Sequence, residues 1–232
     1  MQPERRPAMK RKLYIFGARN FAEVCHHLFT HDSAYEVAGF VVDGKYLDCS
    51  TFCGLPVIAY EEFRLRVKPE DADVFLAIGV DRINTVRAQK FDQLQKDNYQ
   101  FASFISSSSP VGPNFLVQPN TMIMEHVLIH PRVQIGKNSI IWMGSRIAIK
   151  VSIGEHCWIT SAAIGDSAKI GDYSFLGLNA TIAPAVKVGR HNLIGACAAI
   201  MQDTQDYAVY RGQRSMPSRV SSARLRNLGL IS

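Results

Sequence analysis

An aliphatic residue recurs every six positions through the second half of this 232-residue chain, and this period constrains the fold more than any other feature. The series runs from Val111 to Ile159, takes one step of five residues, and continues from Ile164 to Ile200. Glycine often follows the aliphatic residue, and the fifth position of each hexad is nearly always small. A fixed period of this length is typical of repeat architectures whose coils stack on one another. We therefore predict a three-sided column of about five coils, with the aliphatic side chains inside.

Residues 12–105 follow a different pattern, in which short apolar strands alternate with helices. Strand-like segments include KLYIF (12–16) and DVFLAIGV (73–80). A stretch with helical spacing follows the first of them at 20–31. This alternation predicts a parallel sheet with right-handed crossovers. We predict four regions: a basic tail over 1–11, a Rossmann-like α/β domain over 12–105, a parallel β-helix over 106–204 and a C-terminal extension over 205–232.

Composition narrows the classes of protein that fit. No segment approaches the roughly 18–20 apolar residues that span a bilayer, and no secretory apolar stretch follows the basic start, so we expect a cytoplasmic protein that does not bind membranes. The net charge of +6 concentrates at the two ends without interleaved aromatic residues. We therefore expect phosphate-bearing small substrates rather than nucleic acid. The five cysteines lack zinc-site spacing, so no metal is expected.

The two halves together resemble the hexapeptide-repeat acyltransferases, whose fold includes a left-handed parallel β-helix. Four segments carry the resemblance: IFGARNFAEV (15–24), VFLAIG (74–79), IGDYSFLGLNATIAPAVKVGRHNLIGACAAI (170–200) and AVYRGQRS (208–215). The chain is similar to the nucleotide-sugar and sialic-acid acyltransferases related to the bacillosamine and perosamine N-acetyltransferases. The resemblance implies a homotrimer that transfers an acetyl group from acetyl-CoA to an amino group of a nucleotide-linked amino sugar, in a surface polysaccharide or glycan pathway.

The turn between the first strand and the first helix is the leading candidate for a nucleotide contact. Backbone N–H groups at a helix N-terminus attract phosphate, and Arg19 is suited to a bidentate phosphate contact. Because Arg19 takes the second glycine position of GxGxxG, the match to a dinucleotide-binding turn is only partial. The candidate substrate-binding residues are Gly17, Arg19, Asn20, Phe21, Asp43, Gly79, Asp81 and Arg82. The alternative is a plain tight turn followed by a solvated aspartate.

The catalytic base is harder to assign. Acyl transfer needs a group that removes a proton as the nucleophile attacks. The resemblance places a histidine one hexad before the IGD at 170–172, but the stretch 158–172 contains none. Counting back from 170–172 puts Asp166 at that position, whereas counting forward across the five-residue step puts Ala162 there. We predict Asp166, whose carboxylate would be basic enough if buried, together with His130, which lies two coils earlier and about 10 Å away.

The resemblance also implies where acetyl-CoA binds, in a groove between neighbouring columns beside the distal coils. The implied donor-binding residues are Gly177, Asn179, Gly195, Ala196, Arg211 and Arg214. The arginines would contact the phosphates, although the glycines equally fit a role in shaping turns. Trp142 and Trp158 break the hexad pattern with large outward groups, which suggests a subunit or ligand contact.

Three functions stay open on the sequence alone. The leading one is sugar N-acetylation, with sugar O-acetylation as a close variant. The missing histidine and the shortened hexad favour a non-catalytic nucleotide-sugar-binding protein instead. A nucleotide-dependent oxidoreductase built on the first domain is the third, and both Arg19 and the β-helix argue against it.

Overall fold

A computed structural model describes residues 10–227 as an α/β domain followed by a three-sided parallel β-helix. The β-helix is consistent with the left-handed form found in acyltransferases. Within the described residues, no helix has the length and apolar character needed to cross a bilayer.

The α/β domain is built on a six-stranded sheet with three helices packed against it. Its strands are β1 (Arg11–Phe16), β2 (Tyr35–Val42), β3 (Thr51–Phe52), β4 (Leu55–Ala59), β5 (Ala72–Leu76) and β6 (Gln100–Phe101), and its helices are α1 (Asn20–His31), α2 (Tyr60–Arg66) and α3 (Thr85–Lys96). The order across the sheet is β3-β4-β2-β1-β5-β6, and only the β3–β4 pair is antiparallel. Every residue of β5 is buried, because both faces of the sheet are covered.

The β-helix consists of sixteen two-residue strands, β7 to β22. They are β7 (Phe104–Ile105), β8 (Met122–Ile123), β9 (Leu128–Ile129), β10 (Gln134–Ile135), β11 (Ile140–Ile141), β12 (Arg146–Ile147), β13 (Ser152–Ile153), β14 (Trp158–Ile159), β15 (Ala163–Ile164), β16 (Lys169–Ile170), β17 (Phe175–Leu176), β18 (Thr181–Ile182), β19 (Lys187–Val188), β20 (Leu193–Ile194), β21 (Ala199–Ile200) and β22 (Val209–Tyr210). A short helix, α4 (Ser222–Asn227), follows.

The strands form three flat faces. We call the sheet β7-β8-β11-β14-β17-β20-β22 the domain face, because the α/β domain packs on it. The sheet β9-β12-β15-β18-β21 is the groove face, and the sheet β10-β13-β16-β19 is the third face. The second residue of each strand points inward, so the predicted aliphatic series forms one continuous core from Ile123 to Ile200.

The first two predicted hexads are wrong. No strand lies between Ile105 and Met122, and the side chain of Val117 is 45% exposed. Val111 is only partly buried against the end of the core. The first strand of the β-helix is β7 and the second is β8. The segment that joins them is irregular, so the regular six-residue spacing starts at β8.

Two domain boundaries also need correction. The segment 101–105, predicted as one strand of the first domain, divides: Phe101 pairs with β5, whereas Phe104 and Ile105 pair with β8. At the other end β22 pairs with β20, beyond the predicted limit at 204. The β-helix therefore spans 104–210 rather than 106–204.

Ile159 and Ile164 are five positions apart rather than six, so one corner of the β-helix is one residue shorter than the regular corners. Ile164 still lies beside Ile147, and the neighbouring strands keep their register, so the shortening is confined to the corner at 160–162. Ala162 is fully buried there, which excludes it as a catalytic position. Asp166 lies in a turn of normal length, so the count back from 170–172 and the catalytic role of Asp166 stay a prediction.

Candidate functional site at the carboxyl edge of the sheet

The glycine turn after β1 ties three strands together. Gly17 has a φ of +131°, and a Cβ there would lie 2.6 Å from the carbonyl oxygen of Ala77. Its N–H donates to the carbonyl of Val41 at 2.8 Å. Only glycine fits this position, so the turn brings the chain back across the carboxyl ends of β1, β2 and β5 before α1 begins.

Arg19 and Asn20, at the start of α1, are both exposed. The Arg19 guanidinium, 80% exposed, makes a 2.7 Å ion pair with Asp48, whose side chain is 56% exposed. Exposed pairs of this kind contribute little to stability. An anionic ligand can therefore replace Asp48 at small cost.

Phe21 has a packing role that the sequence did not reveal. Its ring centroid lies 4.9 Å from that of Trp158 and 5.9 Å from that of Trp142. Trp158 is only 7% exposed. The two tryptophans therefore join the β-helix to α1 within one chain. The prediction of an exposed subunit or ligand contact is wrong for Trp158, whereas Trp142 is half-buried and its contact stays a prediction.

Asp43, at the end of β2, is held by a buried lysine. Lys90 of α3 lies 2.5 Å from Oδ1 of Asp43 and 2.6 Å from the side-chain oxygen of Gln93. Its ammonium also lies over the rings of Phe16 and Tyr60, at 4.9 and 4.8 Å. Asp43 lies at the sheet edge, where its ribose contact stays a prediction, and the ion pair occupies one of its two carboxylate oxygens.

The loop 79–84 joins β5 to α3 and is strained. Arg82, Ile83 and Asn84 have successive φ values of 48°, 50° and 65°. A left-handed backbone costs roughly 1–2 kcal/mol for each residue with a side chain, and such strain concentrates at functional sites. Asp81 and Arg82 are exposed at the tip, beside the open side of Gly79.

The β-helix holds this loop in place. The side-chain amide of Asn84 donates to the carbonyls of Tyr173 and Ser174 at 3.1 and 3.4 Å. Asn84 is fully buried, so these bonds replace the water that its amide would otherwise bind. The carboxyl edge of the sheet is therefore fixed against the coil that carries β17.

The uncovered end of the domain face continues beyond this edge. Met122 and Ile140 are fully buried under the α/β domain. Further along the same sheet, Phe175 and Leu193 are half-buried and Val209 is 57% exposed. These last three residues form an apolar shelf on the domain face, at and beyond the coil that holds the loop 79–84.

A ladder of side chains along one corner of the β-helix was missed by sequence reasoning. It contains Asn120, Asn138, His156, Tyr173, His191 and Tyr207, which we call the corner ladder. All six have positive φ values between 54° and 61°. The signal was present as a recurrence of about one coil in residues that tolerate left-handed turns.

The lower part of the corner ladder is a directional hydrogen-bond chain. Asn120 accepts from the backbone N–H of Leu76 at 2.7 Å and donates to Asn138 at 2.7 Å. Asn138 donates in turn to Nδ1 of His156 at 2.7 Å. The imidazole proton therefore resides on Nε2, because Nδ1 accepts this bond.

The upper part of the ladder is a stack of rings. The centroids of His156, Tyr173, His191 and Tyr207 are separated by 4.8, 4.4 and 4.7 Å in turn. Burial, followed by the charges of Arg87 and Lys137, lowers the pKa of His156 to about 4. His156 is therefore neutral at pH 7, and its 3.8 Å contact with Glu155 is not an ion pair there.

The two predicted catalytic residues lie at a different corner, between the groove face and the third face. His130 and Asp166 are both exposed, so Asp166 lacks the burial expected for a base. The register places His130 in line with Gly165, one residue before Asp166. His130 and Gly165 line a groove of about 450 Å³ on the groove face, where Leu128 is 54% exposed.

The predicted donor-binding residues gather at the corner between the domain face and the groove face. The N–H groups of Gly177 and Gly195 donate to Ile194 and Tyr210 at 2.8 and 2.7 Å. These N–H groups are therefore engaged within the β-helix and are not free to donate to a ligand. Three of the remaining residues, Asn179, Ala196 and Arg211, are exposed at or just after this corner, and Arg214 is exposed three residues further on.

Comparison with known proteins supports this architecture. Residues 12–94 match the sequence model of the PglD N-terminal domain. Perosamine N-acetyltransferase from Caulobacter crescentus, a mutant solved with CoA and GDP-perosamine, superposes with a TM-score of 0.79 at 22% identity, over 87% of this chain and 93% of that one. The acetyltransferase domain of PglB from Neisseria gonorrhoeae, solved with acetyl coenzyme A, gives 0.69 at 21% identity, over 90% of this chain and 100% of that one.

A curated relative matches only part of this chain and is itself a longer protein. An acyl-[acyl-carrier-protein]–UDP-N-acetylglucosamine O-acyltransferase from Nautilia profundicola is 28% identical over 123 residues, which are 50% of this chain and 44% of that protein. The chain thus spans less than half the length of this relative. Together these findings confirm the predicted resemblance to the hexapeptide-repeat nucleotide-sugar acyltransferases, with the match to the PglD N-terminal domain confined to residues 12–94.

Proposed function

We propose that this protein transfers an acetyl group from acetyl-CoA to an amino group of a nucleotide-linked amino sugar. The observation that carries the proposal is that Asn84 anchors the loop 79–84 on the coil of β17, next to the apolar shelf of Phe175, Leu193 and Val209. A nucleotide bound at the carboxyl edge of the sheet would direct its sugar toward the β-helix along this shelf. Perosamine N-acetyltransferase, which has the same fold, was solved with CoA and GDP-perosamine.

The nucleotide half of the proposal rests on the sheet. The parallel strands run in the order β4-β2-β1-β5-β6, as in Rossmann-like sheets that bind nucleotides at their carboxyl ends. We assign the phosphates to the start of α1, where the free N–H groups of the first turn attract anions. Arg19 would exchange Asp48 for a phosphate, and Asp81 and Arg82 would contact the nucleotide from the loop 79–84.

The chemical step joins the sugar amine to the thioester carbonyl. The C–N bond forms, the C–S bond breaks, CoA leaves as its thiol, and the amine loses one proton. We assign that proton to His130 or Asp166 of a neighbouring copy, both accessible at the corner between the groove face and the third face, and this base would pass the proton to the departing sulfur. In the proposed homotrimer a second copy would cover the groove and supply the burial that Asp166 lacks in one chain.

The donor half of the proposal is assigned to the distal coils. Asn179 and Ala196 would contact the pantetheine arm, and Arg211 and Arg214 would contact the phosphates of acetyl-CoA. Gly177 and Gly195 shape the corner instead, because a Cβ on Gly177 would lie 2.7 Å from the backbone nitrogen of Ala196. No metal has a role in this scheme.

Thiol release from acetyl-CoA in the presence of a panel of nucleotide amino sugars tests the proposal. We expect release with at least one amino sugar, together with a mass gain of one acetyl group on that sugar. The matching sugar with a hydroxyl in place of the amine distinguishes N- from O-acetylation. Absence of release with every sugar in the panel would overturn the proposal.

A non-catalytic nucleotide-sugar-binding protein is the second candidate. It is favoured by the exposed position of Asp166 and by the lack of a histidine in 158–172. Under this alternative, nucleotide sugars bind without turnover. Asp166→Asn and His130→Asn would then leave the affinity for the nucleotide sugar unchanged. Under the enzyme proposal, at least one of these two substitutions lowers kcat by about 100-fold or more.

A further inference from the structure

Arg87 of α3 is a fully buried cation without an anionic partner. Its side chain has no exposed surface, and no carboxylate in the described residues 10–227 forms a salt bridge with it. A buried charge is expensive unless hydrogen bonds surround it. The neighbours of this guanidinium therefore indicate why an arginine is kept at this position.

One nitrogen of Arg87 closes the loop 79–84. Nη1 donates to the carbonyl of Gly79 at 3.2 Å and to the side-chain oxygen of Asn84 at 3.0 Å. These acceptors stand at the two ends of the loop. The two N–H groups of this one nitrogen thus hold both ends of the loop close together, with the strained residues between them.

The other two nitrogens of Arg87 bind the β-helix. Nη2 donates to the carbonyls of Asn138, His156 and Cys157 at 3.2 Å each, and Nε donates to Asn138 at 3.4 Å. The guanidinium carbon also lies 5.3 Å from the ring centroid of Trp158. Arginine suits this position because its planar fork carries five N–H donors in fixed directions.

We propose that Arg87 is a positioning residue that fixes the loop 79–84 on the β-helix and thereby places the nucleotide sugar relative to the acetyl donor. This inference rests on the proposed function. Without Arg87 the left-handed residues Arg82, Ile83 and Asn84 lose the contact that offsets their strain, and the loop samples other conformations. The side chain itself is buried beneath the loop and touches neither substrate.

Arg87→Lys is the principal test, because lysine keeps the charge but cannot reach both sets of acceptors. We expect KM for the nucleotide sugar to rise about tenfold or more, on the scale of one charge-assisted hydrogen bond. KM for acetyl-CoA should stay within twofold of the wild-type value. Direct calorimetric titration with the nucleoside diphosphate should show the same loss as KM.

Phe91→Leu is the matched control for a merely structural role. Phe91 is one turn further along α3, is 1% exposed, and packs edge-on against His156 at 5.9 Å. Its truncation loosens the same interface without touching the loop. We expect Phe91→Leu to lower the Tm at least as much as Arg87→Lys while leaving KM for the nucleotide sugar unchanged.

Hydrogen exchange separates failure of this inference from failure of the proposed function, because it needs no turnover. Amides of the loop 79–84 should exchange faster in Arg87→Lys than in the wild type, while the strands β14 and β17 keep their protection. Unchanged loop exchange in Arg87→Lys, or equal acceleration in Phe91→Leu, would overturn the positioning role. Faster loop exchange in a protein that acetylates no sugar would keep the positioning role and reject the reaction.

Discussion

The domain face and the groove face of the β-helix have the same interior and different exteriors. Their inward residues, such as Ile141 on one face and Ile147 on the other, are both buried in one core. Their outward residues differ, because Ile140 is fully buried under the α/β domain whereas Leu128 is 54% exposed. The aliphatic residue of each hexad thus determines the interior of the β-helix. The residue before it faces outward, and its character determines whether that face packs against the α/β domain or stays exposed.

The largest expected effect comes from breaking the covered face. Trp158→Ala removes a buried ring that contacts Phe21 and Arg87 and should lower the free energy of unfolding by about 3–5 kcal/mol. Thr181→Ala, at an exposed outward position of the groove face, should change it by less than about 0.5 kcal/mol. Urea unfolding of both variants measures the difference, and equal losses would contradict the assignment of the two faces.

The next effect compares inside with outside along the hexad series itself. Ile141→Ala should lower the free energy of unfolding by about 2–5 kcal/mol, because its side chain is fully buried in the column. Val117→Ala occupies the same position in the sequence period but is exposed and should cost less than about 0.5 kcal/mol. A large loss at Val117 would show that the first coil is regular after all.

A third prediction sharpens the role of the exposed groove face. Leu128→Asp should leave the folding of a single chain intact, since its side chain is already half exposed. If the groove face meets a second copy, burial of the new carboxylate should weaken assembly by about tenfold or more. Light scattering after size-exclusion chromatography measures the mass at several concentrations. An assembly unchanged by this substitution would move the interface to another face.

The smallest expected effect concerns pH and compares a covered corner with an exposed one. The pKa of His156 falls to about 4 in the fold, from an unfolded value near 6.5. The unfolded chain therefore binds more protons between these values, so stability contributed by neutral His156 is complete above about pH 6.5 and is lost as the pH falls toward 4. The full shift corresponds to about 3 kcal/mol, and because solvent partly screens this corner we expect a loss of about 1–2 kcal/mol across the window.

His156→Asn should remove that pH dependence, because asparagine does not titrate. The fold should tolerate the substitution, because asparagine already adopts the same left-handed turn at Asn120 and Asn138. His130→Asn, at the exposed corner, is the matched control and should leave the dependence in place. Thermal unfolding at closely spaced pH values between 4 and 7 measures both. The same pH slope in His156→Asn and the wild type would place its origin elsewhere.

Sequence reasoning was strongest where the physical cause is local. The interior of the β-helix follows from a period of six, and the period is visible in any stretch of the chain. The glycine turn after β1 was recognised for the same reason, because Gly17 stands directly between an apolar strand and an amphipathic helix. These features need no knowledge of what lies across the molecule.

The errors arose where the cause is a distant partner. Trp158 was expected outside because no sequence pattern reveals that Phe21 will cover it. Arg87 was one polar residue on an amphipathic helix, and its acceptors at Asn138, His156 and Cys157 follow 51, 69 and 70 positions later in the chain. The segment 101–105 reads as one apolar strand, and only the pairing partners divide it.

The shortened corner at 160–162 has a consequence for how such a column can change. Its loss of one residue leaves the rungs above and below aligned, with Ile147 beside Ile164 and Ile164 beside Ile182. Length differences are thus absorbed where they occur and are not passed along the stack. Each bend is in effect an independent insertion point, so one coil can acquire a new loop, and with it a new reacting group, while the rest of the column keeps its shape.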